Sequence, residues 1–253
     1  MSEAVRIAMW SGPRNISTAM MRAWENRPDT AVVDEPLYAH YLHATGIKHP
    51  GRDDVLKAQS HDADEVTQML TGPIPQGRAI WYQKHMTQHI LPDMSLDWLD
   101  GLRHCFLIRA PEAVVASFTI QRPDADVREL GFEQQWRVFE QVRERTGAVP
   151  PVIDAADVLR QPEAILRAMC THLGVPFSEH MLRWPPGPRA SDGVWAQHWY
   201  AAVERSTGFA PWRPRKVRLS TFQQGLVKHC RPCYERMAAY RLLPAPVGPS
   251  ARH

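Results

Sequence analysis

No apolar stretch in this chain approaches the roughly 20 residues of a membrane-spanning helix, so no membrane partner is expected. Cysteine is scarce: four in 253 residues, too few for a disulfide scaffold. Neither sign of charge dominates, because 30 Lys and Arg face 27 Asp and Glu for a net +3. With no long basic run either, that balance points away from nucleic acid and toward a local basic site for a small anion. There is no internal repeat and no linker. The first apolar run starts within a few residues of Met1 and leaves no room for a signal peptide, so cytoplasm is the expected compartment. What is present suffices for one large α/β domain: 44% hydrophobic and 23% charged residues, both ordinary for a globular chain.

A nucleoside-triphosphate loop is also missing. Its pattern is Gly, four residues, then Gly-Lys-Ser/Thr. In its place stands Val5-Arg6-Ile7-Ala8-Met9-Trp10, then Ser11-Gly12-Pro13-Arg14-Asn15-Ile16-Ser17-Thr18, then a helical pattern with Met20, Ala23 and Trp24. An apolar run with β-branched residues reads as a buried strand, and Gly12-Pro13 ends it. Strand, tight loop and helix present backbone N–H groups and a positive helix end to an anion. Arg14 adds a forked cation suited to phosphate or sulfate, and Ser17 and Thr18 add hydroxyl donors. The plainer alternative is an ordinary βα turn with Asn15 or Ser17 as the helix cap.

The rest of the chain alternates in the same way. Strands are predicted at Thr30–Val33, Arg78–Gln83, Arg103–Arg109 and Pro151–Asp154. Helices are predicted at Leu37–His43 and Asp62–Leu70, from Pro111, and at Gly131–Arg145, Trp195–Arg205 and Ser220–Leu242. This alternation implies a three-layer α/β fold with a central parallel sheet of about five strands. The layout is a core over residues 5–177, a helical part over 178–242 and a loose tail over 243–253. Asp34-Glu35-Pro36 and Lys84-His85 each end a predicted strand, where ligands bind in such folds; alternatively an acid there caps the next helix, with Pro36 opening it. Tyr38 and its aromatic neighbours suit a pocket or a packed helix face. A metal site on His85 and His89 lacks cysteine or carboxylate ligands nearby, so no metal is expected. Cys230 and Cys233 fall on the stripe Phe222, Leu226, Cys230, Cys233, Met237 and read as core.

Four separated signals together resemble the sulfotransferase family. The Arg14–Thr18 loop, with Gly12 and Pro13 before it, is similar to that family's 5′-phosphosulfate loop. Arg109-x-Pro111 followed by Ser117-Phe118 resembles its 3′-phosphate motif. Lys84-His85 resembles the lysine and histidine of cytosolic members, and Glu35-Pro36 the glutamate-proline of others, where the glutamate is the base. The resemblance covers roughly residues 5–177. It implies a P-loop-like fold, 3′-phosphoadenosine 5′-phosphosulfate as donor, and a small-molecule or saccharide acceptor. Arg14, Asn15, Ile16, Ser17, Thr18, Arg109 and Ser117 would then hold the donor, with Arg14, Lys84, Glu35 and His85 in the chemistry. Two departures stand out: Arg14 replaces the usual loop lysine, and the late Arg-Lys-Gly lid motif is absent, with Arg213, Arg215 and Lys216 as substitutes. Glu35 and His85 compete as base, with Glu35 favoured. A kinase or NTPase with a degenerate loop, and a non-catalytic member, are the competing functions. The oligomeric state is left open, a homodimer being one option.

Overall fold

The structure is a computed structural model that describes residues 4–214 and 217–243. The tail from residue 244 on, and Arg215 and Lys216, lie outside the described residues. Five strands form one parallel sheet in the order β2-β3-β1-β4-β5. They are β1 (Val5–Ser11), β2 (Thr30–Asp34), β3 (Ile80–Met86), β4 (Arg103–Ile108) and β5 (Val152–Asp154). Between and after them come α1 (Ser17–Glu25), α2 (Tyr38–Thr45), α3 (Arg52–Ala58), α4 (Ala63–Thr71), α5 (Pro111–Phe118), α6 (Phe132–Thr146), α7 (Ala155–Arg160), α8 (Pro162–His172), α9 (Ala196–Trp199), α10 (Ala201–Glu204) and α11 (Thr221–Ala238).

Buried parallel strands read as continuous apolar runs, and both faces here are covered. On one face Ile7, Met9, Ile80 and Tyr82 pack against Met20, Met21 and Trp24 of α1 and against Ile165, Leu166 and Met169 of α8. On the other Ala8, Trp10, Trp81 and Phe106 meet Val66 and Leu70 of α4 and Val138, Phe139 and Val142 of α6. The side-chain alternation of a strand sorts these residues.

Three local expectations need correction, and one helix stands where none was predicted. β3 runs three residues beyond Gln83, so Lys84 and His85 lie inside the strand, not beyond its end. Residues 49–59 hold a helix, α3, opened by Gly51 at φ 74°. Trp195–Arg205 is not one helix but two four-residue turns separated at Tyr200. On α11, Leu226, Cys230 and Met237 are buried as expected, but Phe222 in the first turn is exposed. No helix among the described residues is long and apolar enough to cross a membrane.

Candidate active site

The carboxyl ends of β1, β2 and β3 open onto a cavity of ≈ 330 Å³. Its floor at one end is the loop after β1. Gly12 is required there, because a Cβ would lie 2.8 Å from the Leu130 carbonyl oxygen. Arg14 and Ile16 both take left-handed conformations, at φ 61° and 58°. A β-branched residue at positive φ is strained, and such strain persists where surrounding contacts over-determine it. The Asn15 amide supplies one contact by donating to the Leu107 carbonyl at 3.1 Å. Neither Asn15 nor Ser17 caps α1; its N-cap is Ile16 and no side chain accepts from the first turn. The helix therefore keeps its positive end and N–H donors available to an anion.

Two separated motifs meet at this loop. Arg14 Nε donates to Ser117 Oγ at 2.9 Å. Arg109 Nη1 donates to the Arg14 carbonyl. Pro13 to Thr18, Arg109 and Phe118 line the cavity, and Ser117 joins them through its bond to Arg14. Arg213 is exposed.

The middle of the cavity is a charged cluster. Lys84 Nζ donates to Asp34 Oδ1 at 2.7 Å, Glu35 Oε1 at 2.6 Å and the Tyr200 hydroxyl at 2.7 Å. Its three donors are thus all used. Tyr200 in turn donates to Asp34 Oδ2 at 2.7 Å and accepts from Trp195 Nε1 at 3.2 Å. The β2–β3 ladder continues past Asp34, since the Glu35 N–H donates to the Lys84 carbonyl at 2.9 Å. Glu35 then turns at φ 42° into α2. The helix-cap reading of Asp34 and Glu35 is overturned: α2 is preceded by Leu37, with no side-chain cap. Glu35 Oε2 has no hydrogen-bond partner among the described residues and lies 4.0 Å from His89 Nε2. Burial raises the Glu35 carboxyl above its ordinary value, with Lys84 pulling the other way. The flanking carboxylates outweigh burial on Lys84 and hold it well above its ordinary value.

His85 is not part of this site. One residue along the strand from Lys84, it faces the opposite side of the sheet and stacks on Trp10 with ring centroids 4.5 Å apart. Its Nε2 pairs with Gln83 Oε1 at 3.2 Å, and burial pushes it down to about 3. Met86, two residues on, shares the face of Lys84 and lines the cavity. His85 and His89 consequently do not form a pair, and no cluster of three His, Cys, Asp or Glu among the described residues could hold a metal.

Sequence reasoning weighed His89 only as a metal ligand and missed Tyr200. His89 is held between Tyr38 and Tyr41, with centroids at 4.8 and 4.9 Å, and burial pushes it well below its ordinary value. Tyr38, His49, Trp195, Trp199 and Tyr200 complete the far wall. The aromatic content of 37–43 was a signal, and Tyr38 serves both as helix packing and as cavity wall.

The family model for a sulfotransferase domain matches residues 5–241. "Branched-chain-amino-acid aminotransferase-like protein 1" of Arabidopsis thaliana is 35% identical over 257 residues, covering 98% of this chain and 45% of that protein. Its namesake protein 2, from the same plant, is 33% identical over 230 residues, covering 90% and 40%. The chain thus spans less than half the length of these curated relatives. Among solved structures, a sulfotransferase from Alicyclobacillus acidocaldarius superposes with a TM-score of 0.53 at 13% identity, covering 94% of this chain and 97% of that one. A sulfotransferase domain from the curacin biosynthetic pathway gives 0.51 at 14% identity, covering 96% and 100%. At these identities the likeness is one of fold.

Proposed function

The chain belongs to the sulfotransferase family, and from that premise we propose that it moves a sulfuryl group from 3′-phosphoadenosine 5′-phosphosulfate to a hydroxyl or amine of a small-molecule acceptor. The observation that carries this reading is one cavity with two unlike ends: an uncapped helix N-terminus with Arg14 and Arg109, and a carboxylate oxygen, Glu35 Oε2, with no hydrogen-bond partner among the described residues.

The loop end fits a nucleotide carrying two phosphates. Gly12 permits the close approach of the loop to Leu130, and the α1 N–H groups are not taken by any side chain. Asn15 Oδ1 is buried there without a partner. In this reading the loop and α1 hold the 5′-phosphosulfate, and Arg109 and Ser117 hold the 3′-phosphate. The donor supplies the sulfuryl group and a leaving phosphate. Arg14 and the helix terminus stabilise the charge that builds on that phosphate. Lys84 has no donor left for it, so its part is to fix Glu35 and Asp34.

Transfer forms a sulfur–oxygen or sulfur–nitrogen bond to the acceptor and breaks the one to phosphate, in line, as in phosphoryl transfer. The acceptor's proton goes to Glu35 Oε2. A carboxyl raised by burial is better matched to that task near neutral pH than an ordinary one. His85, on the other side of the sheet, drops out of the chemistry.

Calorimetry tests the donor. Adenosine 3′,5′-bisphosphate should bind more tightly than adenosine 5′-phosphate, and Arg109→Ala should weaken the bisphosphate by about 1.5–3 kcal/mol while changing the monophosphate much less. Equal weakening of both removes Arg109 from the 3′-phosphate. No binding of the bisphosphate by the unaltered protein sinks the donor assignment.

A further inference from the structure

The end of the cavity away from the loop has its own charge pattern, set by three layers of contacts around Tyr38. Arg122 Nη2 lies 3.1 Å from Glu129 Oε2 and its Nε donates to the same oxygen. His49 Nε2 is 3.2 Å from that oxygen. The Tyr38 hydroxyl is 2.9 Å from His49 Nδ1. Arg122 already pairs with Glu129, and one imidazole tautomer satisfies the whole chain of contacts. Nε2–H donates to Glu129, and Nδ1 accepts from Tyr38. In that tautomer the Tyr38 hydroxyl proton goes to His49, and oxygen lone pairs face a ligand.

Every other charged group at this end points the same way. Asp34, Glu35 and Lys84 sum to one negative charge, and Lys84 is enclosed and saturated by its three partners. The remaining carboxylate oxygen, Glu35 Oε2, is a hydrogen-bond acceptor. His89, held down by burial, is neutral. The walls are aromatic: Tyr38, Trp195 and Trp199. Aromatic faces and acceptor atoms with one net negative charge attract a cation and repel an anion.

Resting on the function proposed above, we infer that the acceptor is a small alcohol or phenol that also carries a protonated amine. Its ammonium group lies against the aromatic wall and the Tyr38 oxygen, and its hydroxyl meets Glu35. The two ends of the cavity then have opposite signs, the basic end for the anionic donor and the acidic end for the cationic acceptor. Tyr38 is a specificity-determining residue, and His49 and Glu129 position it.

The test is calorimetry on the protein saturated with adenosine 3′,5′-bisphosphate. The probes are tyramine against 4-propylphenol and 3-(4-hydroxyphenyl)propanoate, and choline against 3,3-dimethyl-1-butanol. Within each set shape is nearly constant and charge varies. The ammonium member should bind at least about tenfold tighter than its neutral twin, through an N–H contact to the Tyr38 oxygen for tyramine and through the aromatic wall for choline, which has no N–H to donate, and the carboxylate should bind weakest. Tyr38→Phe should shrink tyramine's advantage severalfold while leaving 4-propylphenol unchanged. Equal or tighter binding of the neutral or anionic compounds, or no measurable binding of either ammonium compound, overturns the inference. A protein that fails to bind the bisphosphate in the first step refutes the donor assignment instead, and that result is seen before any acceptor probe is added.

Discussion

Lys84 and His85 are neighbours in one strand, and both are about 1% exposed, yet their surroundings are opposite. Lys84 enters the cavity side and meets two carboxylates and a phenol. His85 enters the packed side and meets Trp10 and Trp98. Burial alone therefore says little about role. A buried charge that is paired marks the side where chemistry can occur, whereas a buried imidazole among indoles, kept neutral, is packing. On the same packed side His104 accepts from Trp10 Nε1 at 3.1 Å and is pushed down to about 4, chiefly by burial.

The contrast can be broken at several points. The largest effect is expected from Glu35→Gln, which keeps the shape and removes the proposed base. Turnover with an acceptor in hand should fall about 10²–10⁴-fold with donor binding nearly intact. The acid limb of the rate profile should disappear with it, because protonating a carboxyl of raised value removes the base as pH falls. His85→Asn, by contrast, should leave turnover within a few-fold at a pH where the protein is folded; the reverse ranking would return the base role to His85.

Next comes Lys84→Met. It strands two carboxylates in a closed site, and breaking a buried pair in this way costs about 3–5 kcal/mol. Denaturant unfolding would register it. A loss below about 1 kcal/mol would mean that the cluster is open to water.

The smallest effect belongs to the packed side and depends on pH. His85 and His104 have folded values of about 3 and about 4, below an unfolded value near 6.5. Between those limits the unfolded chain takes up a proton that the folded chain refuses. Their contribution is complete above about pH 6.5 and declines as pH drops toward the folded values. Each should cost about 2 kcal/mol at pH 5 relative to pH 7. Unfolding free energies at the two pH values would measure it, and His85→Phe should remove its own share of the slope.

Much of this molecule was legible because its signals are local. The strand–loop–helix at 5–25, the Pro111 helix start and the alternation through β5 each lie within one short window. Lys84 and His85 were misread by a boundary error of three residues. Extending β3 to Met86 and applying the two-residue period of a strand would have put Met86, not His85, beside Lys84. Tyr200 was not legible at all, because it meets Asp34 across 166 residues of sequence and carries no motif. His89 sits in a 3-10 turn, Thr87–His89, directly after the strand, where no periodicity applies. Its partners Tyr38 and Tyr41 belong to a different element.

The bond from Tyr200 to Asp34 and Lys84 has a consequence for how the protein is made. Lys84 and Tyr200 are 116 residues apart, an interval of roughly 6–23 s of synthesis at about 5–20 residues per second. During that interval the sheet strands that carry Asp34, Glu35 and Lys84 already exist, but the phenol that closes over them does not. The two acids and the amine stay hydrated on the nascent chain, and the cluster is dehydrated only when the last fifth arrives. A chain released before residue 200 would present the loop after β1 without a closed site, so the nascent protein gains its charged cluster late, after that loop.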